Sequence, residues 1–394
     1  MRTLRLPLPA LTGLLVLTLL GPAPAVAQGA TPVLASGELN VVERREVRIE
    51  GGWPLALAPD GRWLAVWRYA EDDASNAICA YDAITLAEHR CAPTTARSVD
   101  PGTVAWASDS TRLAFTESVA HGDEPDLWVF DASAGAATNL TDDGVDRLLF
   151  EDDGAVGDLA PAWSPDGTQL AFSRSVREET ALYRVSVVGR EAERIASVGP
   201  DEGYAVWAGV HWTPVDTILA SVDPTSSDKD AGIWAIDVGG GEPRRVVAVD
   251  PVAGPPILVA ISVEGRALLF YPRVMGTGDR SVPAFALADP VTGVVEPVVP
   301  ERVATSGTTA YRRVTAAAFS PDGASLLLAY GGLESPSLAV RDLTTGEEQA
   351  LPLPSQEWPL ATHPAGGGVT WTVNGLVFAV GPARGGMLLR LSAA

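Results

Sequence analysis

Apolar and polar residues alternate with period two along most of the chain, and clusters of Gly, Pro, Asp and Thr break the pattern every few residues. This predicts short antiparallel strands throughout and no convincing helix beyond an N-terminal leader. One unit recurs, most clearly as Pro161-Ala-Trp-Ser-Pro-Asp-Gly-Thr-Gln-Leu-Ala-Phe172. Its copies begin at Leu55, Val104, Pro161, Val210, Val259, Ala317 and Val369. The aligned turn positions are Pro59, Ser108, Pro165, Pro214, Val263, Pro321 and Val373, spaced 49, 57, 49, 49, 58 and 52 residues apart. A period near 50 built from short strands is the signature of a β-propeller.

Each part of the unit has a physical task. Two residues before the turn stands a large apolar side chain: Leu57, Trp106, Trp163, Trp212, Ile261, Phe319 or Trp371. The residue before that is usually Ala, so large and small groups interdigitate between neighbouring sheets. Pro-Asp-Gly makes the hairpin, with Pro presetting φ and Gly accepting φ > 0. The repeated Asp60, Asp109, Asp166 and Asp322 are expected to cap these turns through their own side chains rather than to gather a cation. A third strand follows, often ending in Asp (Ile78–Asp82, Leu127–Asp131, Ile233–Asp237, Leu338–Asp342), and then a fourth. The fold class expected is therefore all-β: a seven-bladed propeller of four-stranded antiparallel blades, with residues 38–394 as a single domain and 28–37 as a short linker.

Two pairings follow from the same map. The seventh copy has only three strands before the chain ends, while Leu39–Ile49 precedes the first blade with no other use. The N-terminal strand is thus expected to complete the last blade, because closure removes strand edges. Cys79 lies on the third strand of blade one and Cys91 on the fourth. Pairing about a turn near Thr85 puts them directly opposite, which predicts a disulfide in an exported protein.

The export expectation rests on the N-terminus. Arg2 and Arg5, an apolar stretch from Leu6 to Leu20 and Ala25-Val26-Ala27 form a secretory signal peptide over residues 1–27. No later apolar run approaches the length of a membrane helix, so a periplasmic or secreted chain with no membrane insertion after cleavage is expected. The chain carries 28 basic and 49 acidic residues, a net charge of −21. Without Arg2 and Arg5 the mature chain stands at −23. That balance argues against nucleic acid, whose phosphates require Lys and Arg, and suits basic partners or cations.

The Ser-Pro-Asp-Gly turns at 164–167 and 320–323, the aromatic before them, the Leu-Ala-Phe after the first, and Asn139-Leu-Thr-Asp-Asp-Gly144 resemble TolB-type, WD-repeat-like propeller repeats. The resemblance covers nearly all of residues 38–392. It implies an exported propeller and says little about function, since fold and function are separable. TolB's own N-terminal domain, which engages its envelope partners, has no room here, so the expectation is a TolB-type repeat protein other than TolB.

The search for chemistry is largely negative. No G-x-S-x-G elbow occurs, which argues against a prolyl-oligopeptidase-like enzyme. H-E-x-x-H, C-x-x-C and EF-hand loops are also missing, so no metal site or cofactor is assigned. Of the four histidines, His89, His121, His211 and His363, only His211 falls on an inner strand. It is the one channel candidate for a ligand or base, set against the plainer reading of a packed, hydrogen-bonded histidine. The residues just before each first strand, such as Leu159-Ala160 and Ala208-Gly209, are small or apolar and poor material for catalysis.

What remains is a rim. Loops from second to third strands and from one blade to the next emerge on one side and carry acids in blades one to four. The partner-binding residues expected there are Asp72, Asp73, His121, Asp123, Glu124, Phe150, Asp152 and Asp153. The connection from Thr141 to Ala160 is unusually long and holds Leu148-Leu-Phe150 between acidic runs. Acidic loops around an apolar tip suit a protein or peptide, preferably basic, and also suit a weakly held Ca²⁺. The function expected is a monomeric, non-enzymatic binding or scaffolding protein. The alternatives are a lyase, glycosidase or lactonase acting in the channel, and a structural envelope component.

Overall fold

Residues 39–69, 76–94, 99, 103–116, 125–142, 156–176, 179–189, 191–197, 205–224, 231–251, 253–271, 285–298, 302–305, 308–311, 313–331, 337–351, 369–380 and 385–393 are described by the computed structural model. All lie within one unit, Pro32–Ala394. Among them are seven four-stranded antiparallel sheets. Blade one is β2 (Gly52–Leu57), β3 (Trp63–Arg68), β4 (Ala77–Asp82) and β5 (Glu88–Pro93). Blade two is β6 (Val104–Trp106), β7 (Arg112–Thr116), β8 (Leu127–Asp131) and β9 (Ala136–Asn139). Blade three is β10 (Val156–Trp163), β11 (Gln169–Val176), β12 (Glu179–Ser186) and β13 (Glu193–Ala196). Blade four is β14 (Ala205–Trp212), β15 (Thr217–Pro224), β16 (Gly232–Asp237) and β17 (Arg244–Ala248). Blade five is β18 (Ile257–Ile261), β19 (Ala267–Phe270), β20 (Phe285–Ala288) and β21 (Val295–Pro297).

A two-stranded hairpin, β22 (Arg302–Thr305) with β23 (Thr308–Tyr311), stands between blades five and six and was not anticipated from the repeat. Blade six is β24 (Arg313–Phe319), β25 (Ser325–Gly331), β26 (Ser337–Asp342) and β27 (Glu348–Leu351). Blade seven combines β28 (Val369–Trp371), β29 (Leu376–Val380) and β30 (Gly386–Ala393) with the N-terminal β1 (Leu39–Val47), in the order β1-β30-β29-β28. The ring is a seven-bladed propeller closed by its N-terminal strand. No helix among the described residues is long and apolar enough to cross a membrane.

The first strands of successive blades touch one another from β2 round to β28, so they form the inner wall. The aromatic before each turn does more than fill volume. Trp106 Nε1 donates to the Ala56 carbonyl at 3.2 Å, and Trp163 Nε1 donates to the Ala105 carbonyl at 2.8 Å. A large residue thus reaches back over the small residue of the preceding blade and ties the two inner strands together. The turns are also stitched to each other: Asp60 N–H donates to Ser110 Oγ at 3.0 Å and Ser108 Oγ to the Pro165 carbonyl at 3.3 Å. Each repeated aspartate accepts from the backbone two residues on, as Asp60 does from Arg62, Asp166 from Thr168 and Asp322 from Ala324.

The closing strand packs against both neighbours because of one extra residue. Its ladder with β30 slips between Val41 and Glu43, and the bulged Val42 is 56% exposed. Before the bulge, Leu39 and Val41 join the core shared with blade six. After it, Val47 joins the core shared with blade one. A bulge shifts the alternation by one residue, so a single strand presents apolar groups to opposite sides.

Candidate functional site

The hairpins joining first to second and third to fourth strands lie on one side of the ring. The second-to-third connections and the blade-to-blade connections lie on the other, which is the side of the expected rim. Asp72, Asp73, His121, Asp123, Glu124, Phe150, Asp152 and Asp153 fall outside the described residues. The elements that carry their loops are described, and they are unequal. β10 and β14 begin nine residues before their turns, whereas β6 and β28 begin four before theirs. This corrects two sequence expectations. Leu159-Ala160 and Ala208-Gly209 are not loops ahead of the first strands but lie within β10 and β14. The long connection into blade three therefore ends at residue 155, with Val156–Ala160 already paired to β11 apart from a bulge. A bulge interrupts each extended ladder, between Leu159 and Ala162 and between Ala208 and His211. Ala160 and Gly209 take up positive φ there, at 54° and 52°.

At the base of that raised wall sits a polar cluster that the repeat pattern did not reveal. Arg174 on β11 stands opposite Asp158 on β10. Its Nε and Nη2 donate to Asp158 Oδ1 and Oδ2, both at 2.7 Å. The Asp158 side chain is 2% exposed and that of Arg174 is 19%. The guanidinium lies 5.2 Å from the Phe172 ring centre and 5.3 Å from that of Tyr183. Burial works against the Arg174 charge, but the Asp158 hydrogen bonds and charge outweigh it and hold its pKa above the ordinary value. The cluster bridges to blade two, where the Pro125 carbonyl accepts the Asp158 N–H at 2.8 Å and Asn139 Nδ2 donates to Asp126 Oδ2 at 2.7 Å. Thr116 Oγ1 and Ser173 Oγ are buried without a hydrogen-bond partner among the described residues. The position of Arg174 is Arg, Glu, Asp, Pro or Tyr in the other copies, so alignment of the repeats gave no signal for it.

His211 lies on β14 in the place that is Ala56, Ala105 and Ala162 in blades one to three. It faces blade five, where its ring donates to the Val259 carbonyl. Blade five carries Ile261 where most blades carry an aromatic, so the bulk at this junction has moved from one partner to the other. Although part of its surface stays accessible, burial pushes the imidazole pKa down to about 4, opposed only by the Val259 bond. His211 is thereby neutral at ordinary pH and engaged in the wall between two blades. His89 stacks on Trp63 with ring centres 4.3 Å apart; His121 and His363 are outside the described residues.

The structure joins Cys79 Sγ to Cys91 Sγ at 2.06 Å, on directly opposed positions of β4 and β5. With Glu88 these cysteines form the one group of three metal-ligating side chains among the described residues. Both sulfurs are spent in the disulfide, so that set holds no metal in this state. On the opposite face of the ring, the tight turns expose Val188, Val215, Val263 and Val291 at 95, 79, 64 and 83%. That face thus presents isolated apolar side chains.

No protein-family model matches the chain, and no curated protein sequence does. Solved structures match it in shape. An oligogalacturonate lyase in complex with manganese is 13% identical, with 91% of this chain and 98% of that chain covered and a TM-score of 0.59. The oligogalacturonate lyase of Vibrio parahaemolyticus is 12% identical, with 90% and 98% covered and a TM-score of 0.58. TolB of Acinetobacter baumannii is 16% identical at a TM-score of 0.45 over 79% of this chain, which spans 66% of TolB's length. At these identities the likeness is one of fold: the chain is a β-propeller of the shape of the two lyase structures.

Proposed function

We propose that this chain is an exported binding or scaffolding protein that recognises a protein or peptide through the face bearing the second-to-third-strand and blade-to-blade connections. The supporting observation is the uneven height of that face. The first strands of blades three and four start five residues further from their turns than that of blade two; one of the five is a bulge, so the rise is about 13 Å. Rigid, raised ladders are suited to presenting long loops. The loops of this face carry Asp123 and Glu124 between β7 and β8, and Phe150, Asp152 and Asp153 in the connection ahead of β10, in a chain of net charge −21. A basic partner is favoured by that charge, and its binding weakens as salt rises.

The test uses partners captured from the native envelope by the wild-type chain and identified by mass spectrometry. A variant with Asp123, Glu124, Asp152 and Asp153 neutralised and Phe150→Ser should lose them. A control with Val215→Ser and Val263→Ser on the opposite face should keep them. Retention of every partner by the rim variant, at any salt concentration, removes this face as the site, and loss in the control alone moves it to the tight-turn side. Capture that requires Ca²⁺ and disappears with a chelator assigns the acidic loops to a cation instead. The lyase likeness supplies a separate arm: incubation with oligogalacturonides, where an unsaturated product would replace the binding reading with an enzymatic one.

A further inference from the structure

We propose that the Cys79–Cys91 disulfide is a redox latch on ring closure, holding blade one in the form on which the N-terminal strand docks. The bond does not cross the seam between first and last blades; it lies on the face that makes the seam. Val66, Cys79 and Cys91 stand in one row across β3, β4 and β5. Cys79 is fully buried there, in one cluster with Val47 of β1, Leu376 and Phe378 of β29, and Leu388 of β30. Cys91 packs against the same cluster and is only half-buried.

The polar half of the seam depends on the same two strands. Arg45 of β1 donates through Nη1 to the Ile84 carbonyl at 2.5 Å and through Nη2 to the Thr85 carbonyl at 3.3 Å. Both acceptors sit in the turn between β4 and β5. β5 is an outer strand with one neighbour, its ladder slips between Ala80 and Tyr81, and its first three residues are exposed. The disulfide is the covalent tie between β4 and β5, beside their ladder, the Tyr81–Glu88 hydrogen bond at 3.0 Å and the Asp82 side chain that caps the acceptor turn.

Reduction is a balanced exchange with two external thiols. One thiolate attacks the reachable sulfur, that of Cys91, forming a mixed disulfide and expelling Cys79 as a thiolate, which takes a proton. The second thiol attacks the mixed disulfide, releasing Cys91 as a thiol and leaving the two reductants joined; two electrons pass to the protein. The Glu88 carboxylate lies within 4.8 Å of both sulfurs. Its charge disfavours the departing thiolate and slows the exchange at neutral pH. In an oxidising compartment the latch stays shut, and in a reducing one β1 is released while the cores shared among blades two to five keep their contacts.

Hydrogen exchange read by mass spectrometry on the full chain, with and without a dithiol reductant under native conditions, tests this. Amides of 39–47 should exchange at least about tenfold faster in the reduced protein, with 205–222 of blade four unchanged. Arg45→Ala should reproduce that release with the disulfide intact, and reduction of this variant should add little more. Unchanged exchange of β1 on reduction overturns the proposal. So does a loosening of all blades together, which is the signature of a bond that only supports global stability.

Discussion

The side-chain amide of Gln349 brackets the backbone of Leu39, accepting its N–H through Oε1 at 2.7 Å and donating through Nε2 to its carbonyl at 2.5 Å. The two residues are 310 apart in sequence, and this pair ties the closing strand to blade six. Gln349→Ala should cost about 1–2 kcal/mol, the net value of two hydrogen bonds. Deleting residues 38–49 should lower the melting temperature sharply, since it also exposes the β30 edge. Equal melting of the deletion and the parent would contradict closure by this strand.

Gly209 of β14 lies close against β18 of the next blade. A Cβ built there would stand 2.0 Å from the Leu258 carbonyl oxygen, and φ is +52°. Gly209→Ala should destabilise by at least about 2 kcal/mol, from backbone strain and a displaced neighbour together. Urea midpoints of the two proteins measure it, and a shift below a few tenths of a kcal/mol would show that blades four and five part easily.

Breaking the Asp158–Arg174 pair leaves a charge stranded. Asp158→Asn should cost on the order of 3 kcal/mol, whereas replacing both residues with leucine should recover much of the loss. A double variant no better than the single one would show that the pair contributes specific geometry beyond charge neutralisation.

Acid should unfold the ring in two steps of linkage. His211 titrates near 4 when folded against 6.5 when free. Between those values the unfolded chain binds a proton that the folded chain does not, so stability falls as pH drops through that window, by at most about 3 kcal/mol. His211→Gln should abolish this step in chemical denaturation measured across pH.

A second acid step belongs to the turns. The Thr85 N–H holds Asp82 below the ordinary carboxylate value of 3.8, the Thr345 N–H does so for Asp342, and the Ser164 hydroxyl for Asp166. Each contribution is present above that value and is lost as pH falls through the lower folded one. Asp82→Ala should flatten the stability profile below about pH 4 without altering the His211 step.

The chain's own pattern determined whatever is local or repeated. The Pro-Asp-Gly turns, the alternation around them and the seven spacings are short-range features, and each turn aspartate finds its donors two or three residues away. The opposition of Cys79 and Cys91 follows from counting outward from one hairpin, and the closing role of Leu39–Val47 from a missing strand. Other features are relations between residues far apart and were decided only when the blades met. Arg174 meets Asp158 because β10 runs four residues past its bulge, which no copy of the unit announces. His211 stands where other blades carry Ala, its ring bonded to the Val259 carbonyl of the next blade. Val42 bulges because one strand must serve two differently facing neighbours. Local patterns select strands and turns through sterics and hydrogen bonding within a few residues, whereas charge pairing, volume compensation and bulges answer to surfaces that exist only once the ring has closed.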